Sequence, residues 1–477
     1  MKVFYSFGFI IVYTLIGFSL KAQNLYFETA FGTSMQDIAR SIVQLNSGSL
    51  FLTGSSASGN LGNTDISLIK LDRYGNEEWT SYFGDANANN GYSLAKCSDG
   101  NLILLGDALV SPGDSDILIY KVDTLGGIIW QYEYATSLNE SVKCIEQTSD
   151  GGFITAGFQT DSSGLNNAFV LKIDGSGNYQ WSRSIGGSDN DYASMIKQMP
   201  GGNYILTSDT RSHGAGGYDV ELTKLDSSGN IIWQNAYGDS LNNGCQGIYL
   251  SNDGYFISYG ETEIAPGSYF DMFLEKIDTN GVSVWKKYYG DSNRADACFS
   301  IIQNNSGDYF LTGYSNTFNG GQAMDLALIK TDVNGNLIWG RGFGAQGVDI
   351  GYAIIPSLDN GYYIAGKYFD MEFSDDQYYL IHVEGVYGGT SNLNELKDDD
   401  HWTLWPNPSD GNFSVQIDVQ RPDLQINIYS IEGKLLLSKQ CAEGLLEFNL
   451  KGLLNKGFYV VELVSESGVG RKKIVID

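Results

Sequence analysis

The chain has 477 residues, of which 42% are hydrophobic and 13% aromatic, so it can bury a large core. Its net charge is −27 at pH 7, and residues 23–401 carry −28 of it, because residues 1–22 contribute +2 and residues 402–477 contribute −1. A surface this acidic repels phosphate backbones, which excludes nucleic acid as an expected partner.

Residues 1–22 are predicted to be a signal peptide. Lys2 precedes an apolar run from Val3 to Leu20, and Lys21 and Ala22 end it. We expect cleavage near Ala22 or Gln23, because a strand pattern begins at once and leaves no tether. The later sequence holds no apolar run long enough to span a membrane, so we expect no integral membrane protein after cleavage.

A repeat of about 50 residues fills most of the chain. Its clearest marker is a tryptophan that recurs at intervals of 51, 51, 52, 52 and 54 residues: Trp79, Trp130, Trp181, Trp233, Trp285 and Trp339. Such a period is typical of repeat architectures. Most recurring residues are therefore expected to recur because every copy must fold alike.

Each copy carries four short strand patterns. In the first copy these are Ala39–Leu45, Ser49–Gly54, Asp65–Asp72 and Glu77–Gly84, runs of β-branched and aromatic residues between Gly, Asn, Asp and Ser. Four strands in each repeat predict the blade of a β-propeller. The turn before each tryptophan has an Asp, which accepts backbone N–H groups, and a Gly, which supplies the positive φ that a tight hairpin needs.

The two ends of the array predict how it closes. The last copy, Asp349–Glu384, has three strands and lacks the tryptophan strand, whereas Asn24–Gly32 matches that strand with Phe27 at the tryptophan position. We therefore predict an all-β, seven-bladed β-propeller over residues 24–384, in which the N-terminal strand completes the last blade and covers its open edge.

One polar position recurs in all seven copies, seventeen residues before the residue that closes the second strand. It is occupied only by acids and amides: Asp37, Asn89, Glu140, Asp191, Asn243, Asp296 and Asp349. Blade symmetry predicts a ring of these residues at the mouth of the propeller axis, suited to a cation such as Ca²⁺ or to the hydroxyl groups of a glycan. The alternative is that each caps its own backbone turn. No other metal or cofactor is expected.

Catalytic signatures are scarce. The three histidines, His213, His382 and His401, cannot be assembled into a Ser–His–Asp set, and no phosphate-binding loop is present. The five cysteines show no zinc spacing and are interpreted as small hydrophobic residues. A pair of acids at the axis mouth stays open as a glycosidase-like alternative.

A second domain follows the repeats. Residues 385–401 are rich in Gly, Asn and acids and are predicted to be a linker. Residues 402–477 alternate between strand patterns and tight turns, which predicts a small antiparallel β-sandwich of about seven strands.

This C-terminal segment resembles the type A C-terminal sorting domain of the Bacteroidetes type IX secretion system. The matching motif residues occur in order as Trp405, Pro406, Asn407, Pro408, Gly411, Gly433, Lys434, Gly457, Tyr459, Lys472 and Lys473. Trp405 departs from the tyrosine that is usual in this family. The repeats likewise resemble propeller repeats that are common in exported Bacteroidetes proteins. The resemblance implies a secreted or outer-cell-surface protein that the type IX secretion machinery carries across the outer membrane.

For function we expect a non-enzymatic module that binds a glycan or a protein, and that acts in adhesion. The alternative is a secreted polysaccharide hydrolase or lyase with acidic catalysts at the propeller mouth. A polar constellation that breaks the sevenfold pattern on one or two blades would discriminate between the binding module and the enzyme. The sequence alone reveals no such constellation that is strong enough.

Overall fold

A computed structural model describes residues 25–383, except 60, 319–322 and 345–346, and part of residues 402–476. In the second range, residues 406–408, 410, 418–423, 431–434, 442–443, 452–456 and 466–467 are not described. The predicted signal peptide, the predicted linker and five motif residues (Pro406, Asn407, Pro408, Gly433 and Lys434) therefore lie outside the described residues. Every regular element in the described part is a β-strand.

Strands β2 to β25 form six antiparallel four-stranded sheets, each from consecutive strands. The first three sheets comprise β2 (Asp37–Gln44), β3 (Leu50–Ser56), β4 (Asp65–Leu71) and β5 (Glu77–Phe83); β6 (Ala88–Lys96), β7 (Leu102–Ser111), β8 (Asp114–Val122) and β9 (Ile128–Tyr134); and β10 (Glu140–Gln147), β11 (Phe153–Thr160), β12 (Asn166–Ile173) and β13 (Tyr179–Ile185). The next three comprise β14 (Asp191–Gln198), β15 (Tyr204–Thr210), β16 (Asp219–Leu225) and β17 (Ile231–Tyr237); β18 (Asn243–Leu250), β19 (Phe256–Glu263), β20 (Phe270–Ile277) and β21 (Ser283–Tyr289); and β22 (Asp296–Gln303), β23 (Tyr309–Ser315), β24 (Asp325–Thr331) and β25 (Leu337–Phe343).

The seventh sheet joins the two ends of the repeat array. Its order is β1 (Leu25–Phe31), β28 (Asp375–Val383), β27 (Tyr362–Asp370) and β26 (Ile350–Pro356). The N-terminal strand pairs antiparallel with β28, and Phe27 stands opposite His382, as Trp79 stands opposite Lys70 in the first sheet. The predicted seven-bladed propeller and its closure are confirmed. We number the blades 1 to 7 from β2–β5 to the seventh sheet.

The hairpin turns form as their sequences predict. Asp72 accepts the backbone N–H groups of Tyr74 at 2.8 Å and Asn76 at 3.0 Å, and Gly75 has a φ of +84°. The same aspartate and positive-φ glycine recur at the third turn of the next five blades. Local turn chemistry therefore sets the hairpin that places each tryptophan strand at the outer edge.

The core lies between neighbouring blades. Phe51, Ile66 and Leu68 of blade 1 pack in one buried cluster with Leu102 and Leu104 of blade 2. A corresponding cluster joins blade 1 to blade 7, and the innermost strands β2 and β26 are also in contact. The ring of blades is therefore closed by apolar burial as well as by strand pairing.

In four of the six blades that carry it, the lysine that recurs in the third strand contacts an acid in or next to the turn between the first two strands. Lys121 lies 2.7 Å from Asp99, Lys172 3.1 Å from Asp150, and Lys276 2.6 Å from Asp253. In blade 7, His382 takes the same place beside Asp359. These nearly buried bases hold acids of the Asp-Gly turns, so the recurrence has a structural cause.

The chain divides into two compact units between Val386 and Tyr387. The second unit has a three-stranded and a four-stranded sheet, whose strands are β29 (Trp402–Trp405), β30 (Asn412–Ile417) and β33 (Gly444–Asn449), and β31 (Leu424–Ser430), β32 (Leu435–Cys441), β34 (Gly457–Ser465) and β35 (Gly468–Ile476). Val415 from the first sheet and Ile426 and Val461 from the second share one buried core. The predicted small β-sandwich is confirmed.

Candidate functional site

The seven predicted mouth residues are buried at the junctions between blades. Each lies at or within one residue of the start of an innermost strand, and each is at most 2% exposed: Asp37, Asn89, Glu140, Asp191, Asn243, Asp296 and Asp349. The blades therefore place these residues at equivalent positions, but their side chains are covered.

Hydrogen bonds tie these side chains to the loops around them. Asp37 accepts the Thr33 backbone N–H at 2.8 Å, and Asp191 accepts the Gly187 N–H at 3.1 Å and the Ser212 hydroxyl at 2.7 Å. Glu140 accepts from Thr136 and from the Gln159 amide, the latter at 2.8 Å. These are the contacts of turn-capping residues.

A second acid or amide, at the start of the third strand of the preceding blade, meets the mouth position. The contact is visible at Gly290, where an added Cβ would lie 2.6 Å from Asp271 Oδ1 and 2.7 Å from Asp296 Oδ2. Equivalent glycines separate Asn167 from Asp191, Asp219 from Asn243, and Gln377 from Asp37. Those three junctions combine a carboxyl with an amide, whereas the junction at Gly290 combines two carboxyls.

This carboxyl pair changes the acid–base behaviour of Asp271. The pKa of Asp271 is raised to about 6. Burial of the carboxyl is the largest cause, and the charges of Asp296 and Asp291 add to it. Within the part of the chain that the structure describes, no group of three or more His, Cys, Asp or Glu residues is arranged to hold a metal ion. Binding of Ca²⁺ or a glycan by the seven mouth residues stays a prediction.

The innermost strands expose a different set of residues along the propeller axis. Every one of them contains a one-residue bulge opposite its neighbour, and the bulged residues are Arg40, Tyr92, Lys143, Ser194, Gln246, Phe299 and Tyr352. All seven are partly or fully exposed, although residues close to them on the same strands are buried. A bulge re-aims a side chain, and here it turns one residue in each blade out of the interblade packing.

A second layer comes from the residue that follows the strand-closing position in the second strand. Its members are Ser55, Asp107, Phe158, Asp209, Glu261, Tyr314 and Lys367. Unlike the mouth position, this position changes chemical type from blade to blade. The sequence therefore did contain a signal, because this position varies between blades whereas most positions of the repeat do not. Sequence reasoning missed it because variation at one position does not reveal where the side chains point.

Electrostatic contacts show that the two layers converge on the axis. Lys143 of blade 3 interacts with Arg40, Asp209, Asp107 and Glu261, which come from blades 1, 4, 2 and 5. Non-adjacent blades of a closed ring approach one another only at the axis. We call Arg40, Asp107, Lys143, Asp209, Gln246 and Glu261 the axial cluster.

Hydrogen bonds position the axial cluster. Arg40 donates to Ser55 Oγ at 2.5 Å and to the Gly91 carbonyl at 3.0 Å, and its guanidinium lies 5.2 Å from the centre of the Tyr92 ring. Ser141 donates to Asp107 Oδ2 at 3.0 Å. The bonds to the Gly91 carbonyl and from Ser141 cross from one blade to the next, so neighbouring blades together hold the cluster.

The two carboxyls on blades 4 and 5 accept only from neutral donors. Asp209 Oδ1 accepts the Cys245 backbone N–H at 2.5 Å, and Glu261 accepts the Gln246 amide at 3.1 and 3.3 Å. Burial raises the pKa of Asp209 to about 7, and burial together with the charge of Asp209 raises the pKa of Glu261 to about 8. Although the Lys143 side chain stays accessible, loss of surrounding water at the axis, and then the charge of Arg40, lower its pKa.

Aromatic rings lie beside these groups. The Phe299 ring centre lies 5.9 Å from that of Tyr314 and 5.3 Å from that of Tyr352. On the other side of the ring, Phe158 and Tyr192 meet edge to face at 5.2 Å. The axis therefore combines carboxyls, an amide, two cations and aromatic faces, which is the chemistry of a polar ligand site.

Two other features are weaker candidates. His213 Nδ1 lies 2.6 Å from Oε2 of the buried Glu221, so this histidine is held by an acid. A shallow depression of about 400 Å³ near Leu61, Tyr82 and Ile128 has no acid, amine or imidazole in its lining. Neither feature brings several reactive groups together as the axial cluster does.

In the second unit, the described motif residues lie in or beside strands. Strand β34 begins at Gly457 and contains the buried Tyr459. Lys472 and Lys473 lie in β35, where they pair with Val461 and Val460 of β34. Trp405 ends β29. Gly411 has a φ of +97° and approaches the Lys451 backbone, a position that requires glycine.

Residues 403–477 match the family model of the secretion system C-terminal sorting domain. The protein is exported by the type IX secretion system. It is therefore a secreted or outer-cell-surface protein, and its C-terminal unit carries the sorting domain. The described residues include no helix with the length and hydropathy that a membrane crossing needs.

A curated relative matches part of the chain. The regulatory protein FlaEY of Caulobacter vibrioides is 24% identical over 220 residues, which are 40% of this chain and 23% of that protein. The chain thus spans less than a quarter of the relative's length.

Several solved structures match the chain at low identity and low TM-score. Sqt1 from Chaetomium thermophilum has 11% identity, covers 96% of this chain and 99% of its own, and has a TM-score of 0.44. The extracellular domain of a one-component system from B. thetaiotaomicron has 10% identity, coverages of 92% and 68%, and a TM-score of 0.33. PorZ, a surface component of the type IX secretion system of Porphyromonas gingivalis, has 9% identity, coverages of 94% and 100%, and a TM-score of 0.20.

Proposed function

We propose that this exported protein is a non-enzymatic binding module and that it binds a glycan at the axial cluster. The observation that carries the proposal is the loss of sevenfold repetition at the axis. The mouth position keeps acids or amides in every blade, as a structural residue would. At the axial positions, by contrast, the blades carry Arg, Lys, Asp, Glu, Gln and aromatic residues in turn.

These side-chain types suit a carbohydrate. Carboxyl and amide groups hydrogen-bond hydroxyls in both directions, and aromatic faces cover the apolar faces of sugar rings. A rigid closed ring holds such groups without loop rearrangement, which lowers the entropy cost of binding. A protein ligand, the other expected class, would have to insert a side chain or a terminus to reach these residues.

The test is a glycan-array screen of the mature protein, followed by titration calorimetry with the glycans that bind. Replacing Glu261 with Gln is expected to weaken binding about tenfold, the effect of losing one hydrogen bond to the ligand. Glu133→Gln, which removes the same charge from an exposed outer strand, should leave the affinity unchanged. Binding only to proteins, or equal loss in both variants, would reject the axial glycan site.

The alternative, a polysaccharide hydrolase or lyase, has one observation in its favour. The raised pKa values of Asp209 and Glu261 would keep a carboxylic acid protonated near neutral pH, as a general acid requires. A turnover assay on each bound polysaccharide separates the two functions. Release of shortened or unsaturated products by the native protein, but not by Glu261→Gln, would favour the enzyme.

A further inference from the structure

Within the described residues, none of the five charged side chains of the axial cluster (Arg40, Asp107, Lys143, Asp209 and Glu261) takes part in a salt bridge closer than 4.0 Å. Lys143 also makes no hydrogen bond through its amine there, whereas the carboxyls of Asp209 and Glu261 accept from neutral groups. A ligand can therefore supply a charge that the protein itself does not.

The charge that Asp209 and Glu261 lack is positive. Among the described residues both accept hydrogen bonds only from neutral donors, and their raised pKa values of about 7 and 8 leave them partly protonated at neutral pH. A cation between the two carboxyls would lower both pKa values and keep both groups ionised. With all groups ionised, Arg40 and Lys143 contribute +2 and Asp107, Asp209 and Glu261 contribute −3, so the set carries −1, and residues 23–401, which include the set, carry −28. A low-dielectric channel inside an acidic shell concentrates cations.

The aromatic wall favours the same charge. Tyr314 lies close enough to Glu261 for their charges to interact, and Phe299 joins Tyr314 to Tyr352. The faces of such rings attract ammonium groups, and the attraction strengthens when water is excluded. Two carboxyls on neighbouring blades and a wall of aromatic faces thus flank one region of the axis.

We infer that the axial cluster selects a saccharide that carries a free, protonated primary amine, and that Asp209 and Glu261 hold the ammonium between them. The inference rests on the proposed function and specifies its ligand. Lys143, which faces the same carboxyls, opposes the ammonium and limits its affinity. The sugar ring would lie against the aromatic wall.

The experiment compares three matched tetrasaccharides by titration calorimetry with the mature full-length protein: β-1,4-linked glucosamine, N-acetylglucosamine and glucose. The glucosamine tetramer is expected to bind at least about tenfold more tightly than the other two, because only it carries ammonium groups. The preference should shrink in high salt, which screens the charges.

Variants locate the effect. Asp209→Asn and Glu261→Gln should each weaken glucosamine binding by at least about tenfold and weaken glucose binding less, whereas Lys143→Met should strengthen glucosamine binding. Glu133→Gln is the charge-matched control. The first two substitutions replace each acid with an amide of nearly the same shape, and thermal unfolding verifies the fold.

The outcomes separate the two proposals. Equal or tighter binding of the N-acetylated or glucose tetramer overturns the amine selectivity but leaves a glycan-binding propeller. Amine selectivity that Asp209→Asn and Glu261→Gln both fail to reduce overturns the axial placement. Absence of binding to any glycan on the array rejects the proposed function itself. Should a variant not fold, the comparison of the three tetramers with the native protein still decides the inference.

Discussion

At the residue scale, the glycine that closes the second strand shows why one residue type recurs. At Gly54 an added Cβ would lie 1.8 Å from the Ile38 carbonyl oxygen, and at Gly313 it would lie 1.8 Å from that of Ala297. Both carbonyls belong to an innermost strand, just before its bulge. The bulge brings the backbones of the first and second strands together, and only glycine leaves room for this approach. The recurring spacing between the glycine and the bulge therefore has one structural cause.

Replacing Gly313 with Ala is expected to destabilise the propeller by about 3 kcal/mol, because backbone atoms must move to admit the Cβ. Blade 4 carries the buried Ser208 at the same position, so a Cβ atom is already accommodated there. Ser208→Ala is therefore the matched control and should cost less than about 1 kcal/mol. Denaturant unfolding measures both, and equal costs would show that the close approach does not limit this position.

At the element scale, the junction between an innermost strand and the third strand of the preceding blade decides how buried acids are tolerated. Three junctions set a carboxyl against an amide, which is neutral and so adds no like charge. The junction of Asp271 and Asp296 sets two carboxyls together, and a proton on one of them relieves the repulsion. The repeat therefore keeps this position polar in every blade. A carboxyl pair such as that of Asp271 and Asp296 is stabilised by a proton, whereas a carboxyl–amide pair does not need one.

The stability of this junction should depend on pH. The folded-state pKa of Asp271 is raised to about 6, above the ordinary value of 3.8. Its proton therefore stabilises the fold fully below pH 3.8, and this contribution is lost as the pH rises through about 6. At pH 8, Asp271→Asn should increase the free energy of unfolding by about 1 kcal/mol and so raise the unfolding temperature. At pH 4 the substitution should have little effect on either quantity.

The reverse substitution is the matched control. Asn243→Asp creates a carboxyl pair with Asp219 and should lower the unfolding temperature at pH 8 more than at pH 4. If both variants shift the unfolding temperature by the same amount at the two pH values, the junctions do not titrate as described.

At the scale of the whole molecule, the ring depends on its N-terminal strand. Residues of β1 pair with β28 from Leu25 to Phe31, and Phe27 and Phe31 pack on the core between blades 7 and 1. Without β1, blade 7 would end in an exposed strand edge, which promotes association. Closure therefore links the first described residues of the chain to residues some 350 positions later.

Deleting Leu25–Phe31 from the mature protein should lower the unfolding temperature of the propeller by about 10 °C or more and cause aggregation. Deleting residues 402–477, whose core cluster contains only residues of the second unit, should leave that temperature unchanged. Scanning calorimetry with light scattering distinguishes the two. An unaffected propeller after the first deletion would mean that apolar packing alone closes the ring.

The sequence by itself determined the number of blades, the strand that closes them and the sorting domain. These depend on local periodicity, on Asp and Gly in hairpins such as Asp72–Asn76, and on short motifs in order. Burial of the mouth residues and the meeting of Lys143, Asp209 and Glu261 were decided only by the tertiary structure. The physical reason is that a bulge and a closed ring turn side chains from five blades, far apart in the chain, toward one axis, and no single repeat contains that information.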